Sequence, residues 1–257
     1  MTRPTPIRIR DQQCWLSPER CLYWEEEQTL VLSDLHFGKT GHFRKAGIAV
    51  PQEVYKEDLH RLLQQVQFFQ PRRIIFTGDL FHSAANQEHL LFARWREAIP
   101  TPELHLVRGN HDRLPDHAYT DLALILHGQS LRIGPFCFVH DPADQPEDIE
   151  PTASRATDKV RTGQAPAADG DEPGSVAPPL PPFRFAGHLH PGVRLSGLGK
   201  QSFRFPCFHV AESHCILPAF SKFTGLQLVK PAKRDRIYAV LPGSHHSEAM
   251  PSIVQLQ

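Results

Sequence analysis

The stretch LVLSDLH, residues 30–36, is a short apolar run that ends on an acid and an imidazole two residues apart. Short runs rich in Val, Ile, Leu or Phe are typical of buried strands. Four more runs follow along the chain, and each is also followed by Asp, Asn or His. The five runs are residues 30–33, 74–77, 104–107, 136–139 and 183–186. The sequence therefore predicts strands that carry polar groups at their ends.

Helical segments separate the early strands. Residues 51–69 have apolar side chains at near-helical spacing, and Pro51 suits a first helical turn. Residues 87–99 form a second helical segment, which stops before Pro100. Alternating strands and helices indicate an α/β fold with a partly parallel sheet. After Pro135 the pattern is mostly strand-like, at residues 203–210, 215–217 and 237–241.

The chain of 257 residues is long enough for one large domain, and we expect a single domain over residues 1–257. Residues 142–182 are rich in Pro, Ala, Gly and Asp and have almost no large apolar side chains. Such a segment cannot bury enough surface to order itself, so we expect a disordered insertion there. We also expect a flexible tail from about residue 244.

Composition limits the classes of function. Lys and Arg number 28, as do Asp and Glu, so there is no overall basic field for nucleic acid, although a local patch stays possible. No apolar stretch could span a bilayer, and the first residues lack the apolar core of a signal peptide. Five scattered cysteines without C-x-x-C spacing indicate reduced thiols. These features together predict a cytoplasmic protein.

The residues after the five runs have the chemistry of metal ligands. In an open α/β sheet the carboxyl ends of the strands meet at one edge, where ligands bind. Carboxylate, amide oxygen and imidazole without thiolate suit manganese or iron, with zinc possible. Asp79 follows Gly78, which lets the backbone approach closely, so Asp79 is the natural ligand to bridge two metals. A metal pair ~3.5–4 Å apart is the usual arrangement for phosphoester hydrolysis.

Ordinary explanations exist for each of these residues taken alone. Asn110 could be a turn residue, and His188 and His190 are expected to alternate along a strand, which also suits an exposed polar edge. The tripeptide at 38–40, Gly-Lys-Thr, is not the end of a phosphate-binding loop, because Ser33 stands where that motif needs glycine. Asp58 and Asp121 are expected to be solvated acids. The candidate substrate-binding residues are Lys39, Arg44 and Arg113.

The ordered motifs D-x-H, G-D, G-N-H-D, a lone His and G-H-x-H, from Asp34 to His190, resemble the calcineurin-like metallophosphoesterase superfamily. The resemblance implies a four-layer αββα sandwich with two mixed β-sheets flanked by helices. It implies that His111 donates a proton to the substrate or stabilises its charge, and that Asp112 orients it. It also implies two metal sites bridged by Asp79, one formed by Asp34, His36 and His190 and the other by Asn110, His140 and His188.

A closer resemblance covers nearly the whole chain, from Cys21 to Gly225. The segments CLYWEEEQTLVLSDLHFGKTGHFRKAGIAVP, AGHLHPGV and CILPAFSKFTG are similar to the ligase-associated DNA damage response endonuclease family. This resemblance implies a DNA endonuclease in repair, with a ligase or helicase as partner. Separately, GDLFH resembles a motif of double-strand-break repair nucleases, which suggests a catalytic or substrate-contacting role for His82. A turn histidine is an equal alternative there.

Two other functions are compatible with the motifs. One is hydrolysis of a small phosphoester such as a cyclic nucleotide or a nucleotide monoester, which the balanced charge favours slightly. The other is a non-catalytic scaffold on the same fold. The complete set of candidate ligands together with His111 argues against a scaffold, which would need none of them.

Overall fold

The structure of the protein is a computed structural model, which describes residues 3–37, 53–82, 87–144, 180–197, 201–243 and 250–256. Most of the expected insertion, the expected tail up to residue 249, and the candidate substrate-binding residues Lys39 and Arg44 lie outside the described residues. The single-domain organisation and the disorder of the insertion therefore stay predictions. None of the described helices is long and apolar enough to cross a membrane.

The first sheet is mixed. Within the described residues it has seven strands, in the order in which they occur along the chain. The first four are joined antiparallel, whereas β4 to β7 run parallel to one another. The strands are β1 (Thr5–Ile9), β2 (Gln12–Ser17), β3 (Cys21–Trp24), β4 (Thr29–Leu32), β5 (Arg73–Thr77), β6 (Glu103–Val107) and β7 (Leu124–His127).

Three described helices follow strands of the first sheet, and all three pack on one of its faces. They are α1 (Glu53–Phe69), α2 (Gln87–Ala98) and α3 (Asp116–Thr120). Leu62 of α1 and Phe92 of α2 are fully buried in this layer, as is Tyr119 of α3. The two long helices begin and end within two residues of the positions that the sequence predicts.

The second sheet is also mixed and, in the described part of the chain, has nine strands. Its centre runs in the order β14-β11-β12-β13-β10-β9-β8, and β15 and β16 extend it from β12. The strands are β8 (Ser130–Ile133), β9 (Phe136–Val139), β10 (Phe183–Ala186), β11 (Pro191–Ser196), β12 (Ser202–Val210), β13 (His214–Ile216), β14 (Gln227–Leu228), β15 (Arg236–Leu241) and β16 (Ser252–Gln255).

The central strands of the first sheet are buried on both faces. Leu30 and Leu32 of β4 face the helices, whereas Val31 faces the second sheet. Burial on both faces explains why these strands are continuous apolar runs without polar alternation. The core between the sheets combines aliphatic side chains with aromatic rings, and Phe138 and Phe185 are stacked with their centroids 5.6 Å apart. The prediction of two mixed sheets packed as a sandwich is confirmed.

One expectation about the helical layer is wrong. Asp58 of α1 is not solvated: it is 0% exposed, and one of its carboxylate oxygens accepts a hydrogen bond of 2.7 Å from Arg61. The two residues are three apart on the helix, so their side chains share a face and can pair. Burial raises the pKa of the Asp58 carboxyl, and the charge of Arg61 partly opposes that rise.

Phe185→Ala is expected to lower the free energy of unfolding by about 3–5 kcal/mol, because it leaves a cavity in the core between the sheets. Phe203→Ala is the matched control, since Phe203 is 54% exposed on β12. Its effect should stay within about 0.5 kcal/mol. Chemical denaturation of both variants measures the difference, and equal losses would mean that the sheets are not packed through Phe185.

Candidate metal centre

Five strands end beside the same cluster of polar side chains. Asp34 follows β4, Asp79 follows β5, and Asn110 follows β6 in the first sheet. His140 follows β9 and His188 follows β10 in the second sheet. The two sheets therefore deliver their groups to one edge of the sandwich, as the sequence predicts. Strands buried on both faces hold those groups rigidly.

The first group consists of Asp34, His36 and His190, whose ligand atoms lie within 4.8 Å of one another. Oδ1 of Asp34 is 3.2 Å from Nε2 of His190 and 3.8 Å from Nε2 of His36. The two imidazole nitrogens are 3.3 Å apart. Oδ2 of Asp34 accepts hydrogen bonds from the Ser33 hydroxyl at 2.7 Å and the His188 amide at 3.1 Å. Oδ1 is thus the oxygen that faces the imidazoles.

The second group consists of Asp79, His140 and His188, with Asn110 beside it. Nε2 of His140 is 3.4 Å from Oδ2 of Asp79, 3.2 Å from Nδ1 of His188 and 3.0 Å from Oδ1 of Asn110. Nδ1 of His140 lies 3.0 Å from the carbonyl oxygen of Thr77, which accepts its proton and leaves Nε2 for a ligand.

Asp79 stands between the two groups. Its Oδ2 is 3.9 Å from Nε2 of His36 in the first group and 3.4 Å from Nε2 of His140 in the second. Its Oδ1 accepts a hydrogen bond of 2.9 Å from the backbone amide of His111. One oxygen is therefore fixed by the protein backbone, and the other faces both groups of imidazoles.

Both buried carboxylates are held in the ionised form. For Asp34, burial alone would raise the pKa, but the imidazole of His190, 3.2 Å from Oδ1, outweighs it and lowers the pKa. For Asp79, burial alone would likewise raise the pKa, but the hydrogen bond and the charge of His140 lower it. Burial would lower the pKa of His140, but Asp79 raises it to about 9. The two buried carboxylates therefore favour positively charged partners at this edge of the sandwich.

The backbone at the site is in an unusual conformation. Five candidate ligands have positive φ angles: Asp34 at 56°, His36 at 51°, Asp79 at 51°, His188 at 67° and His190 at 46°. Non-glycine residues adopt this region rarely, and each instance costs about 1–3 kcal/mol. Strain of this kind persists where the surrounding structure fixes it and is concentrated at functional sites.

The expectation that His188 and His190 alternate along a strand is wrong. β10 ends at Ala186 and β11 begins at Pro191, so both histidines lie in the bend that joins two strands. They do not share a face, because His188 joins the group of Asp79 and His190 joins that of Asp34. The left-handed backbone at both residues turns the two rings toward different groups.

Glycines leave room for the carboxylates. A Cβ atom on Gly109 would lie 2.2 Å from Oδ1 of Asp79 and 2.4 Å from its backbone nitrogen. A Cβ atom on Gly78, which has φ +88°, would lie 2.1 Å from Nδ1 of His140. The glycines of G-D and G-N-H-D are therefore required because site residues occupy the space of their side chains.

The other candidate site residues, His82, His111 and Arg113, lie beside the two groups. The ring of His111 is 5.5 Å from that of His36 and 4.2 Å from that of His82, and its Nε2 is 4.0 Å from Oδ2 of Asp79. His82 is thus placed within the cluster. Arg113 is exposed and donates from Nε to the carbonyl oxygen of Asn110 at 2.9 Å.

Asp112 connects the segment that follows β5 to the segment that follows β6. Its two oxygens each accept a backbone hydrogen bond of 2.9 Å, one from Phe81 and one from Gly109. Burial raises the pKa of the Asp112 carboxyl to about 7, and those two backbone bonds oppose the rise. Through these contacts Asp112 fixes the loop on which His111 lies.

Sequence reasoning missed three contributors to the site. The buried Ser33 donates to Asp34, and the carbonyl of Thr77 accepts from His140. Asp141, directly after His140, places Oδ2 3.8 Å from Nε2 of His188. Only Asp141 had a sequence signal, its position beside a candidate ligand, because hydrogen bonds to hydroxyl and backbone groups have no sequence pattern.

The donor set fits divalent cations. Lone pairs of two ionised carboxylates and four imidazoles converge there, and the imidazole nitrogens of each group lie 3.2–3.3 Å apart. Such buried carboxylates are stable only when paired with positive charge. Oxygen and imidazole ligands without sulfur suit manganese, iron or zinc.

The sequence profile of the calcineurin-like phosphoesterase family matches residues 28–159, just over half of the 257 residues. The chain therefore belongs to the calcineurin-like phosphoesterases, a class of hydrolases whose members use divalent metals.

Among solved structures, the nuclease MPE of Pseudomonas putida aligns with a TM-score of 0.68 and 26% identity, over 92% of this chain and 96% of its own. The phosphoesterase Yfce of E. coli aligns over 89% of this chain and 99% of its own, with 12% identity and a TM-score of 0.38. No curated protein matches the chain significantly in sequence.

Gly109→Ala is expected to lower the free energy of unfolding by about 1–3 kcal/mol, because the new methyl group overlaps the backbone of Asp79 and side-chain rotation cannot relieve it. Gly128→Ala is the control, since no atom lies within 4 Å of its Cβ position. Its stability should change by no more than about 1 kcal/mol. Thermal or urea unfolding measures the stability of both variants. A Gly109→Ala protein as stable as the wild type would refute the close contact between Gly109 and Asp79.

Proposed function

We propose that this protein is a dinuclear-metal-dependent phosphodiesterase. The observation that carries the proposal is the position of Asp79, whose Oδ2 lies 3.9 Å from His36 and 3.4 Å from His140. Asp34, His36 and His190 would hold one ion, and Asn110, His140 and His188 the other. Asp79 would bridge them. Manganese is the first choice, and iron or zinc is compatible with the same ligands.

A bound pair of divalent ions would lower the pKa of a water molecule and neutralise charge on the phosphoryl oxygens. The protein's own residues would then orient the phosphate and supply protons. His111 is the candidate proton donor, because its side chain is 38% exposed beside Asp79 and is not needed as a ligand. His82 would pack against the His111 ring and help to orient it.

The remaining candidate residues would position groups or bind phosphate. Asp112 would orient His111 through the loop that its carboxylate fixes. Arg113 is exposed beside Asn110 and could contact a substrate phosphate. The same role is proposed for Lys39 and Arg44 on their sequence position alone.

We propose DNA as the substrate and endonucleolytic cleavage as the reaction, in DNA repair. The support is the likeness to a nuclease at 26% identity over nearly both whole chains. A ligase or a helicase as repair partner rests on family resemblance only. A reducing compartment such as the cytoplasm is supported by the five cysteines, which are all free and buried.

The second candidate function is hydrolysis of a small nucleotide-like phosphoester. The balance of 28 basic and 28 acidic residues favours it, because strand binding depends on phosphate neutralisation by Lys and Arg. The two functions share the metal centre and differ in the substrate.

The test compares substrates on one preparation with manganese. Closed circular single-stranded DNA, closed duplex DNA, bis(p-nitrophenyl) phosphate and a cyclic nucleotide would each be incubated with the wild-type protein and with His36→Ala. The proposal expects cleavage of a circular DNA by the wild type only. Hydrolysis of the small diesters without any DNA cleavage would favour the second function, and no hydrolysis at all would refute the phosphodiesterase.

Asp79→Asn is expected to lose both ions together, because the change removes the charge that faces both groups. His36→Ala and His140→Ala should each mainly weaken one site. Asp116→Asn is the control, since Asp116 is exposed and pairs with Arg108. Elemental analysis after dialysis measures the ions per chain, and an Asp79→Asn protein that retains two tightly bound ions would refute the bridge.

His111→Ala should lower kcat for DNA by about 10²–10⁴-fold at unchanged metal content, the usual contribution of general acid catalysis. The loss should be smaller for bis(p-nitrophenyl) phosphate, whose leaving group needs little protonation. His117→Ala, at an exposed position on α3, is the matched control. Equal losses on both substrates would indicate charge stabilisation by His111, and lost metal would mean that His111 is a ligand.

A further inference from the structure

Residues 219–221, within the segment CILPAFSKFTG, are buried beside Asp34 although they offer no metal-ligating side chain. Ala219 forms a parallel bridge with Ser33. The amide of Phe220 donates to the carbonyl of Ser33 at 2.8 Å, and that of Ser221 donates to the carbonyl of Asp34 at 3.3 Å. The amides of this segment therefore hold the backbone of the first group.

The carbonyls of the same segment are held by two arginines. Nη1 of Arg20 donates to the carbonyls of Ala219 at 3.4 Å and Ser221 at 2.9 Å. Nη1 of Arg61 donates to the carbonyl of Phe220 at 3.1 Å, and its guanidinium lies 4.5 Å from the centre of the Phe220 ring. Every carbonyl from 219 to 221 thus accepts from a guanidinium, whose fixed fork suits several acceptors at once.

The Arg61 guanidinium is itself fixed by the buried Asp58 and the partly buried Glu19. It donates to Asp58 at 2.7 Å and to the Glu19 carboxylate and carbonyl at 2.8 Å each. Arg61 is 5% exposed and Asp58 is 0% exposed, so this pair does not rearrange freely. The contacts run from α1 through residues 219–221 to the left-handed backbone of Asp34.

We infer that Arg20 and Arg61 are positioning residues for the group formed by Asp34, His36 and His190. They act through residues 219–221 on the backbone of Asp34 and so set the direction of its Oδ1. The Asp79 carboxylate is held instead by the His111 amide, and the second group is connected to the two arginines at one remove, through the bond from the His188 amide to Asp34, so the larger effect falls on the first group. This inference rests on the proposed metal centre.

Arg20→Met is the variant of choice. It removes two hydrogen bonds to residues 219–221 and leaves the pair of Arg61 and Asp58 intact, whereas a change of Arg61 would leave Asp58 buried without its partner. Arg96→Met is the matched control, because Arg96 is also half-buried and donates to two backbone carbonyls, those of Ile99 and Pro102, at the end of α2. Arg20→Lys, which can restore part of the contact, is the conservative variant.

Manganese binding to the metal-free proteins would be followed by calorimetry, with thermal unfolding in parallel. Wild type and Arg96→Met should bind two ions alike. Arg20→Met should bind one ion normally and the other about 10–100-fold more weakly, as when support of a metal ligand is lost. Arg20→Lys should lie between them. Both Met variants should lose similar thermal stability, so that stability alone does not explain the difference in binding.

If Arg20→Met binds two ions as tightly as the wild type, the inference about the arginines is overturned but the proposed metal centre is not. Loss of both ions together in Arg20→Met would also overturn it, because the effect would then be general. A wild-type protein that binds no manganese, iron or zinc would overturn the metal centre and this inference with it.

Discussion

The structure at the sheet edge depends on two carboxylates that are almost completely buried yet ionised. Asp34 is 0% exposed and Asp79 is 2% exposed. A buried carboxylate is stable only with a compensating charge and hydrogen bonds. The imidazoles of His190 and His140 provide that compensation in the structure, and backbone amides satisfy the remaining oxygens. A pair of cations would meet the same demand, which connects the burial of these acids to the chemistry of the family.

The left-handed backbone at the candidate ligands follows from the same constraint. A regular strand would place Asp34 and His36 on the same face but roughly 6.5 Å apart along the chain, so its geometry alone does not bring both side chains to one point. A turn into the left-handed region directly after the strand does so, at a cost of about 1–3 kcal/mol per residue. The fully buried strands that precede these turns keep them in place. The rigid sandwich therefore supports a strained edge, and five of the eleven described non-glycine residues with positive φ are residues proposed to bind metal.

The sequence predicts the strand ends well because two independent patterns coincide there. An apolar run gives the strand, and the polar residue after it gives the ligand. The pattern fails where it is ambiguous: His188 and His190 have the spacing of a strand, and only their φ angles reveal the bend. The expectation for Asp58 fails because an acid on a helix is usually solvated, although Arg61 three residues later indicates a partner for it. Backbone contacts such as those of residues 219–221 have no side-chain pattern at all.

The two candidate metal groups draw on different parts of the chain. The second group takes Asp79, Asn110 and His140 from within residues 28–159, where the family profile matches, and only His188 from beyond it. The first group takes His190 from beyond that range, and the contacts that hold the Asp34 backbone come from residues 219–221. Likeness over 92% of the chain to a nuclease extends across this later part. Each group therefore combines residues from the matched range with one histidine from beyond it, and the backbone of Asp34 depends in addition on residues 219–221, so the later part of the chain is needed to complete both groups.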